Sequence, residues 1–162
     1  MPMSRPFIMA AAGVAMAATI VAAVLIAVPD AKDPSGPLLR PDDPATLAGG
    51  QALYDVHCAS CHGAALQGQP DWQQRRPDGR LPAPPHDETG HTWHHPDAVL
   101  FALTKFGPAR VIGNPTYASD MPGYENVLAD GEIIAVLSYI KSTWPAGIRQ
   151  RHDRMNGEAR RN

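Results

Sequence analysis

Cys58-Ala59-Ser60-Cys61-His62 are the residues whose types and spacing suit them to act together. On a helix, positions i, i+3 and i+4 share a face, so Cys58, Cys61 and His62 can address one flat macrocycle at once. Two thiols so placed can add across two vinyl groups as thioethers, while the neighbouring imidazole binds iron. A C-x-x-C-H pentapeptide reads as a c-type haem attachment site. Cys58 and Cys61 are the only cysteines in the 162 residues, so no other sulfur competes for that role.

Other chemistry can use parts of the same set. A thioredoxin-like redox pair uses C-x-x-C but calls for a strand-helix-strand context, and no β-rich run precedes Cys58. A zinc- or copper-binding module is a second alternative. It would join Cys58 and Cys61 to two histidines of the His86–His95 stretch (HDETGHTWHH), where His91 and His95 have zinc-ligand spacing. A third is a haem protein with an open iron site, acting as a gas sensor or enzyme. The four histidines could also set a pH response, or simply rim the site as a polar loop.

The elements that position these residues begin from a length that suggests one domain. The net charge is −2 and charged residues make up 19%, so nothing favours nucleic acid as a partner. Glycine and proline number 14 and 17 while aromatics are 6%, which describes a loop-rich fold with a thin core. A bulky cofactor at its centre would supply the missing apolar contacts.

Phe7–Val28 contains neither charge nor proline and, as a helix, would reach roughly 33 Å, enough to cross a bilayer core. Residues 1–28 are therefore expected to be a single-pass membrane anchor. A cleaved signal peptide is the alternative, with Ala15-Met16-Ala17 as a small-x-small triplet that the apolar run overshoots. Arg5, the lone basic residue before the run, favours a cytoplasmic amino end and places the rest of the chain outside. Residues 29–44, with five prolines and four aspartates, read as an extended linker.

Three helices are expected beyond it. The first opens at Asp43 or Pro44 and runs through Leu47, Leu53, Tyr54 and Val56 to the cysteines. The second opens at Pro96 and Asp97, carries Val99, Leu100, Leu103 and Phe106 at helical spacing, and stops at Gly107. The last is capped by Asp130, buries Ile133, Val136, Leu137 and Ile140, and stops at Trp144-Pro145. Residues 146–162, with five arginines, read as a basic disordered tail that could dock an acidic partner or lipid headgroups.

Gly50-Gln51-Ala52-Leu53-Tyr54 followed by His57-Cys58-Ala59-Ser60-Cys61-His62-Gly63 resembles the opening of a class I c-type cytochrome, and the resemblance covers residues 45–145. It implies an all-α fold in which three or more helices wrap round one covalent haem c held by Cys58 and Cys61. It also implies that Gly50 and Tyr54 meet the C-terminal helix near Val136 and Tyr139. A proline turn, at Pro82 or Pro84, would set a backbone carbonyl against the free nitrogen of His62. Met121, in Ser119-Asp120-Met121-Pro122-Gly123-Tyr124, resembles the family's distal methionine and would be the second axial ligand. Tyr54, Pro82, Pro84, Trp93 and Tyr124 are assigned to the rest of the haem pocket. The implied function is one-electron transfer in a membrane-bound chain, between redox partner proteins, on the periplasmic side of the cytoplasmic membrane. By itself such a protein is not an enzyme, although it could serve a dehydrogenase or oxidase complex as a subunit.

Overall fold

Asp43 starts the first helix, α1 (Pro44–His57), because its carboxylate accepts from the Ala45 amide at 3.2 Å and the Thr46 hydroxyl at 2.5 Å. Pro44 occupies the first helical position, where its missing N–H leaves no hydrogen bond unmade. The computed structural model describes residues 38–161. The expected anchor at 1–28 and residues 29–37 of the expected linker lie outside them. After α1 come α2 (Ala59–His62), a 3₁₀ turn (Thr92–His94), α3 (Asp97–Phe106), α4 (Pro108–Ile112), α5 (Asp130–Ser142) and α6 (Ala146–Ala159). The described residues are all-helical, with no strand, as expected. None of their helices is long and apolar enough to cross a membrane.

The fold is built on the crossing of α1 over α5, and Gly50 sets how closely they approach. A Cβ placed on Gly50 would lie 2.1 Å from the Ala135 carbonyl oxygen and 3.0 Å from the Tyr139 Cβ. Only a residue without a side chain lets the two backbones meet there. The closest neighbour is thus Ala135 rather than the expected Val136, which is buried in the core beside it. Tyr139 is at the crossing as expected, its ring 5.6 Å from that of Tyr54. Ile133, Ile134, Val136, Leu137 and Ile140 of α5 fill the core with Tyr54, Leu100, Leu128 and Trp144.

Two expectations fail at the edges. Leu38–Asp43 do not act as a free linker. Leu39 is 1% exposed, its amide donates to Asp97, and the Arg40 amide donates to Ser138 at 2.9 Å. Residues 146–162 are not a disordered tail either, since Ala146–Ala159 is the helix α6. Ile148 packs on the core, but the fully buried side chains of α6 are polar. The His152 ring donates from Nε2 to the His95 carbonyl at 2.9 Å, and the Asn156 amide bridges the Asp97 amide (2.8 Å) and carboxylate (2.9 Å). Lys141, nearly fully buried, donates to Asp153 at 2.6 Å and lies 3.9 Å from Asp97. The arginines of this segment include Arg149, paired with Asp42 at 2.6 Å, and Arg151, set over Trp93. A smaller correction concerns α5: its N-cap is Ala129, and Asp130 is the first helical residue, paired with Lys105 at 2.6 Å.

Candidate functional site

Cys58 ends α1 and begins a single helical turn. Its carbonyl accepts from the amides of Cys61 (3.1 Å) and His62 (2.9 Å), and this puts the three chemical residues on the shared face their spacing requires. Both cysteines are unpaired, Cys61 exposed and Cys58 half-buried. Burial, helped by the neighbouring Cys61, pushes the Cys58 thiol up to about 11. A thiol-disulfide nucleophile at Cys58 would need the opposite shift.

His62 is buried, and its orientation is fixed from two sides. Its Nδ1–H donates to the Pro84 carbonyl at 2.8 Å, which leaves Nε2 free to bind iron. Pro84 thus supplies the carbonyl; Pro82 is buried two residues earlier and makes no such bond to His62. On its other side the ring stacks on His86, with centroids 4.0 Å apart and planes 24° from parallel. Burial, partly offset by the Pro84 bond, pulls His62 below the ordinary histidine value and favours the neutral imidazole that a metal needs.

His86 was legible only as one of a run of histidines. It proves to be the inner member. Its amide donates to the Leu66 carbonyl at 2.7 Å, and its own carbonyl accepts from the Trp144 indole at 2.8 Å. Its Nδ1 meets the Thr92 hydroxyl at 2.8 Å. Burial, then His62 and His91, hold it well below the usual histidine range. Leu66 takes the left-handed conformation (φ 64°) to present its carbonyl there, a strain that the surrounding core supports. The outer histidines pack elsewhere, His91 stacked on Trp72 and His94 tilted against Trp93. Among the described residues, no group of three or more His, Cys, Asp or Glu side chains could hold a metal ion. The histidine loop therefore does not converge on the cysteines as a zinc or copper site.

Of the residues assigned to the haem pocket, Tyr54 and Tyr124 tie the polypeptide together. Tyr54 is fully buried and donates to the Gly63 carbonyl at 2.8 Å, bracing the turn after His62. Tyr124 donates to the His57 carbonyl at 2.8 Å, next to Cys58. Burial and then the two cysteines raise its pKa. Trp93 lies under the guanidinium of Arg151, 5.1 Å from the ring centroid, and faces α6.

Met121 is half-buried in a loop fixed at both flanks. Downstream, Gly123 lies so close to α3 that a Cβ would come within 2.9 Å of the Phe106 carbonyl oxygen. The Tyr124 and Glu125 amides donate to the Thr104 and Lys105 carbonyls at 3.1 and 2.9 Å. Upstream, the Met121 amide donates to the Ser119 hydroxyl at 3.1 Å, and Asp120 pairs with Arg76 and Arg80, each at 3.0 Å.

The donor set fits a haem c. There are two unpaired thiols one helical turn apart and an imidazole with one nitrogen held and the other free, and the loop that carries Met121 bonds through the Tyr124 hydroxyl to the His57 carbonyl beside them. A protein-family model described as Cytochrome c matches residues 47–144, well over half the chain. Searches of curated proteins and of solved structures give no match.

Proposed function

The chain belongs to the cytochrome c family, and from that premise we propose that it is a monohaem, class I electron carrier with His62 and Met121 as axial ligands. The family's chemistry is electron transfer through haem c. When bound, the haem supplies reversible one-electron chemistry at its iron, and everything else is the work of the polypeptide.

Cys58 and Cys61 would form the thioethers. The Pro84 carbonyl holds the His62 tautomer and raises its basicity as a ligand, and the His86 stack fixes the plane of the ring. Met121 would close the opposite side, and a thioether favours the ferrous state and raises the potential. Were both axial positions so filled by the chain, small molecules would be kept from the iron, which suits a carrier better than a sensor or an enzyme. The Pro84–His62 hydrogen bond is the observation that carries this proposal. It spends one ring nitrogen on orientation, as ligating histidines do.

Residues 1–28 would tether the haem domain to the cytoplasmic membrane, with the domain on the periplasmic side between donor and acceptor proteins. The uncharged run Phe7–Val28 supports this. A mature protein that retains its first residues is expected by mass spectrometry, and an amino terminus near residue 28 or beyond would mean a cleaved signal instead.

The ligand set is tested by Met121→Ala. The variant should keep its covalent haem, lose the weak far-red band of methionine on ferric iron, bind carbon monoxide readily when reduced, and show a lower potential. An unchanged spectrum and potential would remove Met121 from the iron.

A further inference from the structure

The long segment between the haem histidine and the histidine run closes into a loop whose two ends are both held at His62. At its start the Gly68 amide donates to the His62 carbonyl at 2.7 Å, and at its end the Pro84 carbonyl takes the His62 Nδ1–H. Gln69 zips the neck, with its amide donating to the Ala83 carbonyl (2.9 Å) and its side-chain oxygen accepting from the Ala83 amide (3.0 Å). Towards the tip, Arg76 and Arg80 are joined across a turn, the Arg76 amide donating to the Arg80 carbonyl at 2.9 Å.

That tip reaches the methionine loop at two points. Asp120, adjacent to Met121, accepts a hydrogen bond from Arg76 on one carboxylate oxygen at 3.0 Å, and the Arg80 Nε forms an ion pair with the other at 3.0 Å without hydrogen-bond geometry. Arg75 sits over the ring of Tyr117, 5.6 Å from its centroid. Arg76 is also braced by Gln69 (2.8 Å), and Arg80 by Asp78 (3.2 Å). One loop therefore grips the proximal histidine at its base and the residue beside the distal methionine at its tip.

The geometry points to residues 68–84 as a strap that holds the Met121 loop in place, with Arg76, Arg80 and Asp120 as positioning residues for the axial methionine. This rests on Met121 being an iron ligand. The paired side chains of Arg76 and Asp120 are 40% and 52% exposed, so each ion pair is weak and partly screened. Their joint effect on the methionine is expected to be a few-fold change in its displacement rather than its loss.

Competition by imidazole for ferric full-length holoprotein tests the strap, at a pH where imidazole is neutral. Asp120→Asn and the double variant Arg76→Gln/Arg80→Gln should each bind imidazole about five-fold more tightly than the parent protein. The two variants change the local charge in opposite senses. A pure field effect would raise the potential of the first and lower that of the second, without moving imidazole affinity the same way in both. Unchanged affinity in both variants, or opposite changes, would overturn the strap. Met121→Ala is measured alongside them. If it binds imidazole far more tightly and lacks the far-red band while the strap variants match the parent, the strap alone fails. If it matches the parent, the ligand assignment and the strap fall together.

Discussion

At the scale of single residues, hydrogen bonds decide what each side chain at the site can do. Tyr54 shows this most clearly: assigned to the haem pocket, it is a fully buried brace whose hydroxyl holds the Gly63 carbonyl. Tyr54→Phe should cost about 1 kcal/mol of stability in denaturant unfolding while leaving the visible spectrum and the potential unchanged. A displaced spectrum would return Tyr54 to the haem's immediate surroundings. Cys61→Ala should abolish stable holoprotein in a host that matures such proteins, judged by haem staining after denaturing electrophoresis. Cys58, Cys61 and His62 stand out in the sequence because covalent haem chemistry would demand those residue types at that spacing. The Pro84 carbonyl was half legible, since prolines mark a turn without saying which carbonyl faces the ring. His86, Arg76, Arg80 and Asp120 were not legible. They are placed by contacts between residues 24 or more positions apart in the chain, as with His62 against His86 and Arg76 against Asp120, which no local pattern encodes.

At the scale of elements, the crossing of α1 and α5 and the docking of α6 behave differently. Gly50→Ala would ordinarily favour a helix by about 1 kcal/mol. Here the added methyl meets the Ala135 backbone, so a net loss of about 3 kcal/mol is expected in denaturant unfolding of the holoprotein. A neutral or stabilising result would contradict the close crossing. Helices α1, α3 and α5 were legible from apolar periodicity and from caps such as Asp43 and Gly107. Helix α6 was not, because its fully buried residues are His152 and Asn156, and Ile148 and Met155 are its only large apolar side chains. A helix docked mainly by hydrogen bonds leaves only a sparse apolar stripe. Leu39 beside Leu38 was the one available sign that the supposed linker enters the core.

That polar docking is expected to make α6 sensitive to acid. Burial, then Lys141, depresses His152 below the ordinary histidine value of 6.5, while Asp97, the His95 carbonyl and Asp153 pull the other way. Above 6.5 the ring is neutral in both the folded and unfolded chain, and the docking contributes fully. As the pH falls below that value the unfolded chain takes up a proton that the folded one refuses, so stability declines until the folded value is passed. Unfolding free energy should therefore fall as pH drops through the range just below 6.5. His152→Gln should show a shallower slope there, and an identical slope would clear His152 of the effect.

At the scale of the whole molecule, the polypeptide supplies few large apolar side chains, and its residues are arranged round the turn Cys58–His62. Helix α1 delivers the cysteines, and the Pro84 carbonyl and His86 fix the histidine. Helix α3 and Tyr124 fix the methionine loop, whose amides and hydroxyl bond to the end of α3 and to His57. These pieces share a purpose only if one haem joins them. The most direct measurement is the pyridine haemochrome spectrum of the denatured protein after acid-acetone extraction. One haem per chain is expected to remain with the polypeptide, its α-band displaced to the position of a haem with both vinyl groups saturated. Haem lost to the organic phase, a band at the position of unmodified vinyl haem, or protein without a Soret band from a host able to mature such proteins would contradict the account.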